Sequence, residues 1–174
     1  MKTAKETIKI YDGEISYSER IRIYNTCTKS FFRIGWRDLP CSETEFLHSK
    51  WDIRDWEREN ILKDLKNPEL ISLIRGRTPS LVVVNLGTPH DIYWAHTHDT
   101  RDVLLYQANL DWSPEFFGET LFYSEDLSEI IFANQYTPGR ILWFDGCIPH
   151  SIRPSSRAAP YYRYTISVFY EKGD

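Results

Sequence analysis

Leu81-Val82-Val83-Val84-Asn85-Leu86 and, beyond a histidine-bearing loop, Val103-Leu104-Leu105-Tyr106-Gln107-Ala108-Asn109 are the two runs that decide the fold. Both are short, rich in branched and aromatic residues and bounded by turn formers, which is how strands read. Four more such runs follow at residues 120–123, 129–132, 140–144 and 163–170. Upstream of residue 80 the punctuation is helical. Residues 17–27 set Ile21, Ile23 and Tyr24 among charges, and residues 51–66 space Ile53, Trp56, Ile61, Leu62 and Leu65 near the helical period, with a stop expected at Asn67-Pro68. Helices followed by strands predict an α+β, mainly β chain, its helices on one face of an antiparallel sandwich or barrel rather than an alternating βαβ fold.

A chain of 174 residues with 41% hydrophobic and 26% charged residues reads as one globular domain, 1–174. Its net charge of −4 leaves no basic footprint for nucleic acid. The polar opening MKTAKETIKIY lacks the apolar core of a signal peptide, and no apolar run is long enough to span a bilayer, so the expectation is a cytoplasmic protein with no membrane partner. Cys27, Cys41 and Cys147 are an odd set without a CxxC pair, which predicts reduced thiols rather than a disulfide frame or thiolate zinc site. Aromatic residues reach 15%, a proportion suited to sheet faces and cavity linings.

Chemistry concentrates in the histidines. In an extended chain residues i and i+2 share a face, so His96 and His98 of Tyr93-Trp94-Ala95-His96-Thr97-His98-Asp99-Thr100 can aim two imidazoles at one point. His150, after the strand run 140–144, can complete a facial set of three from a neighbouring strand. Arg163 opens the last strand, and a metal and a guanidinium facing one cavity would hold a dicarboxylate at both ends. His48 and His90 read as surface or hydrogen-bonded residues, and Arg153 and Arg157 as solvated loop charges or as contacts for an anionic substrate.

From Trp94 onward the sequence resembles the iron- and 2-oxoglutarate-dependent dioxygenases of the prolyl 4-hydroxylase type. The resemblance rests on the histidine motif, on Leu104-Leu105-Tyr106-Gln107-Ala108-Asn109 with Asp111-Trp112, and on Gly118-Glu119-Thr120-Leu121-Phe122-Tyr123. Pro138-Gly139-Arg140-Ile141-Leu142-Trp143-Phe144, Pro149-His150 and Arg163-Tyr164-Thr165-Ile166-Ser167-Val168-Phe169 continue it in order. It implies a double-stranded β-helix, or jelly roll, with residues 1–79 as a helical buttress and 80–174 as the β core that carries the site. By position it implies His96 and His150 as iron ligands, Arg163 as partner of the far carboxylate of 2-oxoglutarate, Ser167 assisting it, and Gln107 where some relatives place a tyrosine. Fe(II), 2-oxoglutarate and O2 are the implied cofactors, and hydroxylation of an unactivated C–H bond in a small polar molecule or a peptide side chain is the implied reaction.

The chain departs from that pattern where the usual ligand step is His-x-Asp or His-x-Glu. Here it reads His96-Thr97-His98, with Asp99 one residue late. Strand alternation favours His96, His98 and His150 as the metal set, while a bulge that re-aims the chain would substitute Asp99 for His98. Phe117 replaces a glycine, and the segment 151–162 is longer than in typical relatives. Two rival readings are a three-histidine, cupin-like oxygenase that needs no 2-oxoglutarate and a jelly roll that binds a partner without catalysis.

Overall fold

The computed structural model describes residues 7–37, 39, 44–98 and 100–172. Cys41 and Asp99 lie outside the described residues. The elements run β1 (Lys9–Tyr11), α1 (Tyr17–Thr28), β2 (Arg33–Trp36), β3 (Phe46–Trp51), α2 (Ile53–Glu59), α3 (Pro68–Ile74), β4 (Leu81–Gly87), β5 (Arg101–Gln107), β6 (Thr120–Tyr123), β7 (Ile130–Asn134), β8 (Ile141–Asp145), β9 (His150–Ile152) and β10 (Arg163–Glu171). They form a seven-stranded sheet in the order β1-β8-β5-β10-β4-β3-β2 and a three-stranded sheet in the order β7-β6-β9. Every strand pair is antiparallel. An isolated bridge between His96 and His150 lays the histidine-bearing segment beside β9, as a fourth member of the small sheet. This is a jelly roll, as expected, with all six strand runs of the sequence present.

The central strands read as unbroken apolar runs because both faces of the large sheet are covered. On one face Val82, Val84, Leu104, Tyr106, Ile166 and Val168 pack with Ile23 and Cys27 of α1, Trp56 of α2 and Leu70 of α3. On the other, Val83, Val103, Leu105 and Phe169 meet Phe122 of the small sheet, with Phe144 and Ile148. Helices therefore pack on the sheet's outer face, and the second cluster, between the sheets, is where the site opens.

Residues 7–79 depart from a purely helical buttress, because β1, β2 and β3 widen the large sheet at both edges. The helix expected over 51–66 is also divided. Trp51 closes β3, Asp52 caps α2 by accepting from Arg54 N, and Asn60 ends that helix in the left-handed region at φ 45°. Asn67-Pro68 begins a helix instead of stopping one: the Asn67 side chain accepts from Glu69 N and Leu70 N, and Pro68 occupies the first turn, where its missing N–H has no partner to lose. β9 escaped the sequence reading because three residues after a proline show no alternation. Cys27 is buried, which pushes its thiol up to about 12, and Cys147 is exposed. Among the described residues no helix is long and apolar enough to cross a membrane.

Candidate metal centre and its cavity

Two local devices aim the histidines. The backbones of His96 and His150 exchange N–H···O bonds of 3.0 Å in each direction, so the two residues sit directly opposite each other on neighbouring chains. Each ring then donates Nδ1–H to the carbonyl two residues earlier, His96 to Trp94 O at 2.9 Å and His150 to Ile148 O at 2.8 Å. A carbonyl only accepts, so in both rings the lone pair is left on Nε2, the form a metal requires. His98 joins them through its backbone N–H, which donates to Gly146 O at 2.7 Å. Gly146 is needed for this approach: a Cβ there would lie 2.9 Å from His98 Cβ and 2.5 Å from Arg101 O.

The three imidazoles offer ligand atoms within 4.8 Å of one another. Their ring centroids lie 4.6 to 5.0 Å apart, with the edge of Phe169 against His98 and that of Phe144 against His150. Burial, and then the neighbouring His96 and His98, hold His150 well below the usual imidazole range, so its ring is neutral at neutral pH. Three imidazole nitrogen donors from two adjacent chain segments suit Fe(II), Zn(II) and their neighbours in the first row.

The cavity runs from these rings into the space between the sheets, roughly 690 Å³ with its open mouth included. Arg163 is the one charged side chain among its described lining residues. It is 2% exposed and lies at the far end, its Nε donating to Gly118 O at 3.1 Å and its guanidinium 4.8 Å from the centre of the Tyr136 ring. Its Nη2 has no hydrogen-bond partner. Burial draws its pKa below the ordinary arginine value, opposed first by Tyr136. Thr120 Oγ1, which faces the cavity from the small sheet, and Thr165 Oγ1, on the same face of β10 as Arg163 and Ser167, are likewise buried without partners. Leaving such groups unpaired costs about 1–3 kcal/mol each, more for a charge, so this end is built for an acceptor.

Ser167 lines the cavity and accepts from Asn85 Nδ2 at 3.1 Å, leaving its own O–H free to donate. Gln107 is fully buried on the cavity face of β5, opposite Thr165, and its Nε2 has no partner. Its Oε1 takes the backbone N–H of Thr137 at 2.5 Å, bracing the turn before β8. Arg153 is held against Phe117, 3.5 Å from the ring centre, with Glu119 at 3.5 Å, while Arg157 is exposed.

Several contributors were not singled out from sequence. Gly118, at φ +86°, would place a Cβ 3.0 Å from Arg163 Cδ, so the glycine of the Gly118-Glu119-Thr120 turn makes the seat for the guanidinium. Tyr93 stacks on Phe46 at 4.5 Å and donates its hydroxyl to Asp91 Oδ2 at 2.8 Å, walling the arginine end. The glycines carried a signal in their spacing; Phe46 and Tyr93 carried none.

No family model and no curated protein matches this sequence. Solved structures do resemble it. A prolyl-4-hydroxylase from Pseudomonas putida superposes with a TM-score of 0.67 at 12% identity, over 95% of this chain and 93% of its own. A 2OG-Fe(II) oxygenase family oxidoreductase from Burkholderia pseudomallei gives 0.69 at 13%, over 98% and 87%. A Trichoplax adhaerens prolyl hydroxylase, solved with a fragment of the hypoxia inducible factor oxygen degradation domain, gives 0.64 at 17%, over 95% and 83%. At such identities the likeness establishes the fold alone, a double-stranded β-helix shared with these proteins.

Proposed function

We propose that the protein is an Fe(II)- and 2-oxoglutarate-dependent dioxygenase that hydroxylates an unactivated C–H bond, with iron on His96, His98 and His150. The observation that carries this reading is one cavity with three convergent imidazoles at one end and a buried guanidinium with an unpartnered Nη2 at the other. When bound, the iron and 2-oxoglutarate would supply the oxidising chemistry with O2, and the chain's share is placement.

In that reading Arg163 holds the far carboxylate, with Nη2 donating and its Nε already committed to Gly118. A guanidinium suits this role because it stays charged even when buried. The hydroxyls of Ser167, Thr120 and Thr165 are the further donors available nearby. His96 and His150 keep Nε2 toward the metal through their carbonyl contacts, and Phe169, Phe144 and Val103 exclude water around the rings. Gln107 holds the Thr137 turn through Oε1, and its Nε2, buried without a partner opposite Thr165, is a further donor on the same face of the sheet.

The three-histidine set also suits a cupin-like oxygenase without 2-oxoglutarate, and Arg163 is the residue that favours the first reading. The test is conversion of 2-oxoglutarate to succinate by iron-loaded protein without substrate. Slow uncoupled succinate formation that requires Fe(II) is expected, and none at any iron or 2-oxoglutarate concentration would overturn the proposal.

A further inference from the structure

Beside the cavity mouth the large sheet ends in a strand that no other described strand covers. Among the described residues β2 pairs with β3 on one side only, so its outer backbone N–H and C=O groups form an open edge. Phe31, just before it, is 75% exposed and Ile34 within it 69%. Such an edge is a template for an added strand.

Charge gives the edge a preference. Register places Arg33 opposite His48 on the same face of the sheet. Lys50 Nζ lies 5.5 Å from the centre of the Trp36 ring, His48 lies 5.7 Å from it, and the Arg33 guanidinium lies 5.3 Å from the Phe31 ring. Among the described residues neither Arg33 nor Lys50 has a carboxylate within ion-pair distance, whereas the neighbouring Arg37 is held by Glu45. A chain of net charge −4 thus keeps two neighbouring cations, with aromatic rings beneath them and no ion-pair partner among the described residues, at an edge strand. The strand also leads to the site, since Trp36, its last residue, lines the cavity that holds the three imidazoles.

We infer that β2 is the docking strand for an extended acidic peptide segment of the substrate, paired along the open edge with its carboxylates against Arg33 and Lys50, which carries a neighbouring residue past Trp36 into the cavity. This rests on the oxygenase reading for what happens in the cavity, but not for the docking itself. The backbone edge supplies affinity without sequence demands, and the two cations select the sign of the side chains.

The test uses the full chain without metal and three fluorescein-labelled peptides of alternating glutamate and threonine: the parent, its lysine counterpart, and a version N-methylated on alternate amides so that it cannot pair. The parent should bind and lose affinity steeply with salt, the lysine peptide should not bind, and the N-methylated one should bind about tenfold or more weakly. The double variant Arg33→Glu, Lys50→Glu should weaken the parent by a similar factor, and both side chains are exposed, so the fold tolerates the change. Trp36→Ala is an independent second variant that should also weaken it. Equal binding of parent and N-methylated peptides, unchanged binding by the charge-reversed protein, or full displacement by inorganic phosphate at the peptide's own concentration would each overturn the inference. The iron-free binding assay is independent of the succinate assay: peptide binding by a protein that forms no succinate once iron-loaded sinks only the oxygenase reading, and succinate formation by the iron-loaded protein without peptide binding in the iron-free assay sinks only the docking strand.

Discussion

The two ends of the cavity are built on opposite principles. At the histidine end the supporting contacts are already made: Nδ1 of His96 and of His150 rests on a carbonyl two residues away, and the rings of His98 and His150 are packed by Phe169 and Phe144. At the arginine end the chain has buried a charge and left Nη2 of Arg163 and the hydroxyls of Thr120 and Thr165 without partners. In the proposed reading the first end lacks only a metal and the second is completed by an anion. Stability and ligand binding should therefore respond differently to changes at each end.

The largest effect is expected at the complete end. Replacing His150 with alanine leaves only two imidazoles and should abolish stoichiometric Fe(II) binding, read by metal titration of wild type and variant. Equal binding by both would remove His150 from the site.

At the arginine end, Arg163→Met should weaken 2-oxoglutarate by roughly 30-fold to several thousand-fold, the consequence of about 2–5 kcal/mol for losing one partner of a buried charged pair. The ligand-free variant should melt no lower than wild type, because an apolar side chain replaces an unpaired buried cation. Thermal melts with and without 2-oxoglutarate check both halves, and a large loss of stability in the ligand-free variant would show that the guanidinium is a structural group.

The third prediction returns to the ligand that the sequence left open. His98 lies with His96 and His150, so His98→Ala should lose most bound iron while Asp99→Ala keeps most of it, measured under identical loading. The reverse order would assign the position to Asp99. The smallest effect is expected at the seat of the guanidinium. Gly118→Ala adds a Cβ 3.0 Å from Arg163 Cδ at a positive φ, and should cost about 1–2 kcal/mol of stability and weaken 2-oxoglutarate while leaving metal affinity intact. Weakened metal binding in that variant would mean the two ends are coupled.

Much of the core was legible because its signals are local. The runs from Leu81 to Arg163 are apolar or β-branched over lengths that only strands use, and α1 shows its cap at Ser16, whose Oγ accepts from Glu19 N. The failures lie where a local signal has two meanings. Asn67-Pro68 stops one helix as readily as it starts another, and Asn60 in the left-handed region made the choice. Residues 46–51 carry Trp51 at a spacing that suits a helix, yet they form β3 because β4 offers its edge to them.

By itself the sequence determined the six central strands, the pairing of His96 with His98 on one face, and the presence of Arg163 at the start of the last strand, since each depends on the alternation of neighbouring residues. Only the tertiary structure decided that His150 bridges His96, that Gly146 admits His98, that Gly118 seats Arg163, and that Gln107 braces the Thr137 turn through its Oε1. Those facts depend on residues brought together by strand pairing across the sheets, and the distance between two such side chains is set by register and packing rather than by anything written between them along the chain.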